Sequence, residues 1–120
     1  TAPGLHIVVR DGGAGGADVF CVPGPPREMM PMFEREVLPL LRPDPARTTR
    51  TLVLHAAGMF EAEAAARLGG LMERGRNPLV GITVGGGGLS IRIRGTGVAG
   101  AEVEAAVAAA ESLVRARLTE

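Results

Sequence analysis

The sequence predicts an α+β fold in two parts, and three observations carry that reading. Residues 89–94, Leu89-Ser90-Ile91-Arg92-Ile93-Arg94, alternate apolar and polar side chains, the period of a half-buried strand. Val103, Val107, Ala110, Val114 and Leu118 recur three or four residues apart, the period of a helix buried along one face. Residues 42–49, RPDPARTT, carry two prolines among polar neighbours and no periodicity, so they read as a linker. A hairpin and a helix precede it, and a strand-helix-strand-strand-helix series follows. The expected domains are 1–45 and 46–120.

In the first part, Leu5–Arg10 and Ala17–Val22 are expected to pair across the glycine-rich turn 11–16, DGGAGG. Val19, Phe20, Cys21 and Val22 form a short apolar run that reads as a buried strand, with Cys21 a packing residue inside it. Pro23-Gly24-Pro25-Pro26 cannot continue that strand, because three of its residues lack a backbone N–H and Gly24 can take positive φ. A helix is then expected over about 28–41. Met29 or Met30, Phe33, Val37 and Leu40 or Leu41 would form its apolar stripe. Pro31 is harmless only in a first turn, and Pro39 should loosen the last one.

In the second part, Arg50–Ala56 reads as a strand. Met59–Arg74 reads as a helix with Phe60, Ala64, Leu68, Leu71 and Met72 on one face and a Glu63–Arg67 pair on its surface. Gly69-Gly70 inside it implies either close approach to another backbone or a break into two short helices. Leu79–Val84 and Leu89–Arg94 are strands joined by Gly85–Gly88, and Ala101–Leu118 is the last helix. One three-stranded sheet with two helices on one face gives a small α+β sandwich.

Charge and composition narrow the function classes. Thirteen basic and thirteen acidic residues cancel, so no overall field draws the chain to nucleic acid or anionic membrane. No apolar run approaches the ~20 residues of a membrane span. The single cysteine allows no internal disulfide and fits a reducing, cytoplasmic setting. Every basic residue is Arg, and Lys, Gln, Tyr and Trp are missing, as expected of a GC-rich bacterial coding bias. His6 and His55 lack neighbours at metal-ligand spacing and read as strand residues, and no catalytic residue or metal ligand is assigned.

The candidate site is Pro23, Gly24, Pro25, Pro26, Arg27 and Glu28. A strand end, a proline-stiffened turn and a helix start can form one wall of a ligand pocket. Gly24 would let backbone approach a ligand. Arg27 could meet a phosphate with its planar fork, and Glu28 could orient a hydroxyl or hold a metal through water. The alternative is a rigid turn with Arg27 and Glu28 solvated.

The stretch PGPPREMMPMFEREVLPLL (residues 23–41) resembles the PGxPxEM-xPMFEEEVLP signature of the competence/damage-inducible protein CinA family. Thr1-Ala2-Pro3-Gly4 is similar to the end of that family's GTAPG turn, and RNPLVGI (residues 76–82) to its NPxVG strand entry. Gly58-Met59-Phe60-Glu61-Ala62 departs from the family's GIGES-like turn. The resemblance implies the end of a molybdopterin-binding-like domain followed by a KH-like β-α-β-β-α domain. It also implies that Ala2, Pro3 and Gly4 lie beside the ligand pocket, with a frayed terminus as the alternative. In the resembling family the first domain is associated with ADP-ribose pyrophosphate hydrolysis, and a separate C-terminal domain with nicotinamide-nucleotide deamidation. The upstream glycine-rich loop and paired aspartates expected for ligand and metal are not in this sequence. The chain therefore reads as a piece of a longer nucleotide-processing protein. It would be inactive alone, with no cofactor of its own and a divalent metal only in the complete parent domain. Its partners are expected to be a nucleotide-type small molecule in the parent and further copies of itself. A non-catalytic interaction module is the competing reading. Single-strand binding needs a GXXG loop between helices, whereas Gly85–Gly88 falls in a hairpin. No exposed aromatic is expected, and only Arg74, Arg76, Arg92 and Arg94 could form a basic patch, so nucleic acid is not the expected partner.

Overall fold

Alternating β-favouring residues give the first two strands, β1 (Leu5–Arg10) and β2 (Gly16–Cys21), paired antiparallel with Leu5 opposite Cys21 and Arg10 opposite Gly16. The structure is a computed structural model that describes residues 2–10, 12–13 and 15–119. It has two compact units, one ending at Pro43 and the other starting at Asp44.

In the first unit the hairpin has both faces exposed. Leu5, Ile7, Val9 and Val19 are open to solvent, and Val22 and Cys21 are exposed as well. Of the apolar run 19–22, Val19, Phe20 and Cys21 lie in the strand and Val22 follows it, but the run is not buried and Cys21 is not a packing residue. Hydrophobic content marks a strand; whether it is covered depends on what lies against it. The expected helix over 28–41 is also broken. The α-helix α1 spans only Pro26–Met32, then a π-turn covers Phe33–Val37 and a 3₁₀ turn Leu38–Leu40. Pro26 suits the first helical position, where its missing N–H costs nothing. Pro31 lies inside α1, where it removes a ladder bond, and the Leu38 N–H reaches back five residues to the Phe33 carbonyl. Along the proposed stripe only Val37 is buried.

The second unit has a true core. Strands β3 (Thr48–Ala56), β4 (Leu79–Gly85) and β5 (Gly88–Gly97) form an antiparallel sheet in the order β3-β5-β4. The register aligns apolar residues in rows: Leu52, Ile93 and Val80 in one, and Leu54, Ile91 and Ile82 in the next. On the other face Thr51, Arg94 and Leu79 form a row, followed by Val53, Arg92 and Gly81, then His55, Ser90 and Thr83. Gly86 and Gly87 both take positive φ between β4 and β5, as a two-residue type I′ turn requires. Helix α3 (Gly100–Thr119) buries Val103, Val107, Ala110 and Val114 along the expected stripe. Ile91, Ile93, Leu68 and Val114 have no exposed surface.

Gly95 and Gly97 bring α3 down onto β5. A Cβ on Gly95 would sit 2.7 Å from Val107 Cγ2, and one on Gly97 2.9 Å from Val103 Cγ2. Both distances are shorter than side chains tolerate, so these glycines are required for the approach.

The second helix is shorter than its sequence suggests. Helix α2 spans Glu61–Leu68 and gives way to a 3₁₀ turn over Gly69–Met72. Gly69 has φ of +48°, so this glycine turns the chain by its conformation rather than by backbone approach. Its nearest neighbour would be the Arg117 side chain. The helix ends hold each other: Arg67 donates to the Leu118 carbonyl at 3.1 Å, and Arg117 to the Leu68 carbonyl at 2.8 Å. The expected Glu63–Arg67 pair is present at 2.8 Å. Phe60, expected in the core, caps α2 and is 82% exposed. It precedes the first helical residue, so the helical period does not govern it.

Asn77 has a structural role with no counterpart in the sequence reading. Its side chain donates to the Thr96 carbonyl at 2.6 Å and accepts the Thr96 N–H at 3.0 Å, acting as a one-residue strand beside β5. Asn77–Pro78 is a cis peptide.

Three outcomes are expected. Gly95→Val should destabilise the chain by about 1–3 kcal/mol through overlap with Val107. Gly81→Val, on the open face with no atom near its Cβ, should be close to neutral. Paired urea melts decide this, and equal losses would refute the close-approach account. Asn77→Ala should cost about 1–2 kcal/mol by leaving both Thr96 groups unpaired by protein, read by the same melts against Asn77→Asp. Native-state hydrogen exchange should protect residues 89–118 more than 5–22, because only the former lie on a closed core.

Candidate functional site

The turn 23–28 is built as its composition demands. Pro23 is buried and anchors the end of β2, while Gly24, Pro25 and Pro26 are exposed. Pro25 is extended, with φ of −62° and ψ of 126°, and its carbonyl accepts the Glu28 N–H at 3.0 Å and the Met29 N–H at 2.9 Å. Because Pro23, Pro25 and Pro26 have no N–H, Gly24 and Arg27 carry the remaining amide donors before α1 settles. Gly24 does not use the positive φ open to it, and apart from its chain neighbours no atom lies within 4 Å of where its Cβ would be. That side of the turn is open space. Arg27 is exposed and Glu28 half-buried, and among the described residues neither forms an ion pair.

Ala2, Pro3 and Gly4 are exposed, and Thr1 lies outside the described residues. Gly4 has a packing role: a Cβ there would meet Met32 Sδ at 2.5 Å and the Cys21 carbonyl at 3.3 Å. It allows the chain entering β1 to pass between the end of β2 and α1. Gly4 also lines a concavity of about 330 Å³, with His6, Phe20, Cys21, Met32 and Arg35 among its walls. None of Ala2, Pro3, Pro23, Gly24, Pro25, Pro26 and Glu28 lines it. The structure thus brings Gly4 to a groove, and leaves the proline turn as a separate exposed edge.

Three side-chain pairs order the walls of that groove, and the hairpin register accounts for the first of them. His6 lies opposite Phe20 on the hairpin, and their rings stack with centroids 4.3 Å apart and planes 15° apart. His6 Nε2 is 2.8 Å from Asp18 Oδ1. Arg35 pairs with its neighbour Glu36 at 2.6 Å.

Other chemistry is limited. Among the described residues, no group of three or more His, Cys, Asp or Glu side chains could hold a metal ion. No helix among them is long and apolar enough to cross a membrane. Gly85–Gly88 closes the β4–β5 hairpin, away from any helix pair. Phe60 corrects the expectation that no aromatic is exposed, and Phe33 is also open, at 37%.

Comparison with known proteins agrees with this architecture. Residues 51–120, which contain nearly all of the sheet and both helices of the second unit, match the family described as the damage-inducible protein CinA KH domain. A protein of Alkaliphilus metalliredigens named as competence-damage inducible is 31% identical over 120 residues, covering 100% of this chain and 28% of that protein. A CinA-like protein of Deinococcus deserti is 39% identical over 93 residues, covering 78% of this chain and 22% of its own length. A CinA-like protein of Solibacter usitatus is 35% identical over 95 residues, again covering 78% of this chain and 22% of its own length. The chain thus spans less than a third of the curated relatives it matches. The sheet order, the helical layer and the matched residues together show that this chain belongs to the CinA family, with the family's KH domain as its second unit.

Proposed function

We propose that this chain supplies one wall of a nucleotide-binding pocket in a longer CinA protein, together with a non-catalytic KH-like packing domain. The observation that carries this reading is the turn 23–28. It is held from inside by Pro23 and two bonds to the Pro25 carbonyl, yet its outer side is empty and its polar side chains are unspent. A turn stiffened by three prolines loses little conformational entropy on binding. Gly24 and Arg27 offer amide donors there, Arg27 a planar fork for phosphate, and Glu28 an acceptor for a ribose hydroxyl. Ala2, Pro3 and Gly4 would contribute a second edge of the parent's pocket, following the family resemblance. In the parent protein the ligand would be a nucleotide of the ADP-ribose type and the reaction pyrophosphate hydrolysis. Following the family resemblance, a divalent cation would belong to the complete parent domain.

A second part of the proposal concerns assembly. Leu5, Ile7, Val9 and Val19 share one face of the hairpin and are all exposed. An uncovered apolar sheet face of this kind recruits another surface. In the purified chain, that surface is a second copy.

The purified chain should show no divalent-metal-dependent turnover of ADP-ribose, because one wall does not complete an active site. Turnover above that of a heat-inactivated sample would overturn the wall-only reading. Parent protein carrying Glu28→Ala should bind ADP-ribose several-fold more weakly, measured by calorimetry, while unchanged binding would remove the turn from the pocket. Light scattering should give a dimer or larger species that Ile7→Glu or Phe33→Glu dissociates. A monomer at high concentration, or an oligomer indifferent to both substitutions, would refute the association.

A further inference from the structure

We infer that the open face of the KH-like sheet is a docking surface for an acidic polypeptide segment. This surface is distinct from the proline turn and does not depend on the reading given to it. Arg92 and Arg94 stand on the same face of the central strand β5, about 7 Å apart along it. Both are exposed, and among the described residues neither forms an ion pair. Arg50, Arg67 and Arg115 of the same unit are all paired with glutamates. No position on the open face of the three strands is acidic. The glutamates Glu61, Glu63, Glu102, Glu104 and Glu111 all sit on α2 and α3, which pack on the opposite face of the sheet. The sheet face thus carries two unpaired cations and no acid, while Glu63, Glu104 and Glu111 on the opposite side are each neutralised by an arginine.

The neighbours of the two arginines favour a polypeptide. Val53 and Gly81 flank Arg92 in its row. Val53 is 40% exposed and offers apolar contact, and nothing lies within 4 Å of where a Gly81 Cβ would be, so a chain can settle beside the guanidinium. His55 and Ser90, hydrogen-bonded at 3.1 Å, border this surface. Two arginines anchored about 7 Å apart along the strand match carboxylates two residues apart on an extended segment, and each guanidinium can donate two hydrogen bonds to one carboxylate. Nucleic acid fits less well. The face carries no Phe, Tyr or Trp for a base to stack on, and two fixed cations engage few phosphates. Exposed ion pairs of this kind are individually weak, so the contact is transient and salt-sensitive.

The test is an NMR titration of the isotopically labelled chain with a short alternating Glu-Ser peptide. Amides of residues 51–55, 79–83 and 90–94 should shift saturably. The Arg92→Ser/Arg94→Ser variant should weaken binding about fivefold or more, with the fold verified by its unchanged shifts at buried Leu68, Val107 and Val114. Raising NaCl from about 50 to about 300 mM should weaken it similarly. Absence of saturable shifts on this face would overturn the inference, as would equal binding by the double variant. An oligothymidine of matched charge that binds more tightly through the same residues would also overturn it, reassigning the face to nucleic acid.

Discussion

The close seat of α3 on β5 is the constraint on which the second unit depends. Gly95 and Gly97 have no side chains, so Val107 and Val103 rest directly on the strand. That approach closes the space in which Ile91, Ile93 and Val114 lose all solvent contact. Burying each such side chain contributes on the order of 1.5–3 kcal/mol. A methyl group at Gly95 would lift the helix and reopen that space. Because β5 is the central strand, the same contact also aligns β3 and β4, whose apolar rows run through Ile91 and Ile93.

The first unit is organised by different means. It buries little among the described residues beyond Pro23 and Val37. Its shape comes from local covalent limits: prolines that forbid strand or helix, and a glycine at position 4 that lets the chain pass close to Met32 and the Cys21 carbonyl. Such limits hold a turn in one conformation without a core. They leave the apolar face of Leu5, Ile7, Val9 and Val19 open to solvent.

Position in the fold, not residue type, decides what each motif can do. Gly85–Gly88 spells a GXXG, yet its positive φ values serve a hairpin turn. Arg117 sits where it would complement the end of its own helix, but its guanidinium caps the carbonyl of Leu68 instead. Arg67 returns the same service to Leu118, so the two helices terminate against each other. Asn77 resembles an ordinary turn residue, but its amide pairs both backbone groups of Thr96 and extends the sheet by one position.

The sequence by itself determined the elements whose residues repeat with a clear period. Leu89, Ile91 and Ile93 had to share one face of a strand, and Val103 to Val114 one stripe of a helix, since those periods follow from backbone geometry alone. The proline turn 23–26 and the break at Gly69-Gly70 were legible too, because proline and glycine act on their own backbone. Family membership was readable in residues 23–41 and 76–82 for the same reason: the motifs are contiguous. Tertiary structure decided the rest. It left Cys21 and Val19 exposed, because burial depends on what packs against a strand and not on its own composition. Phe60 lies outside the core because its backbone is extended ahead of α2, a choice made by how the helix meets the sheet. It brought Gly4 to Met32 and His6 to Asp18, pairs separated by many residues. It also put Arg92 and Arg94 on a face without acids. Such groupings depend on strand register and on which face the helices cover, neither of which any local stretch of sequence encodes.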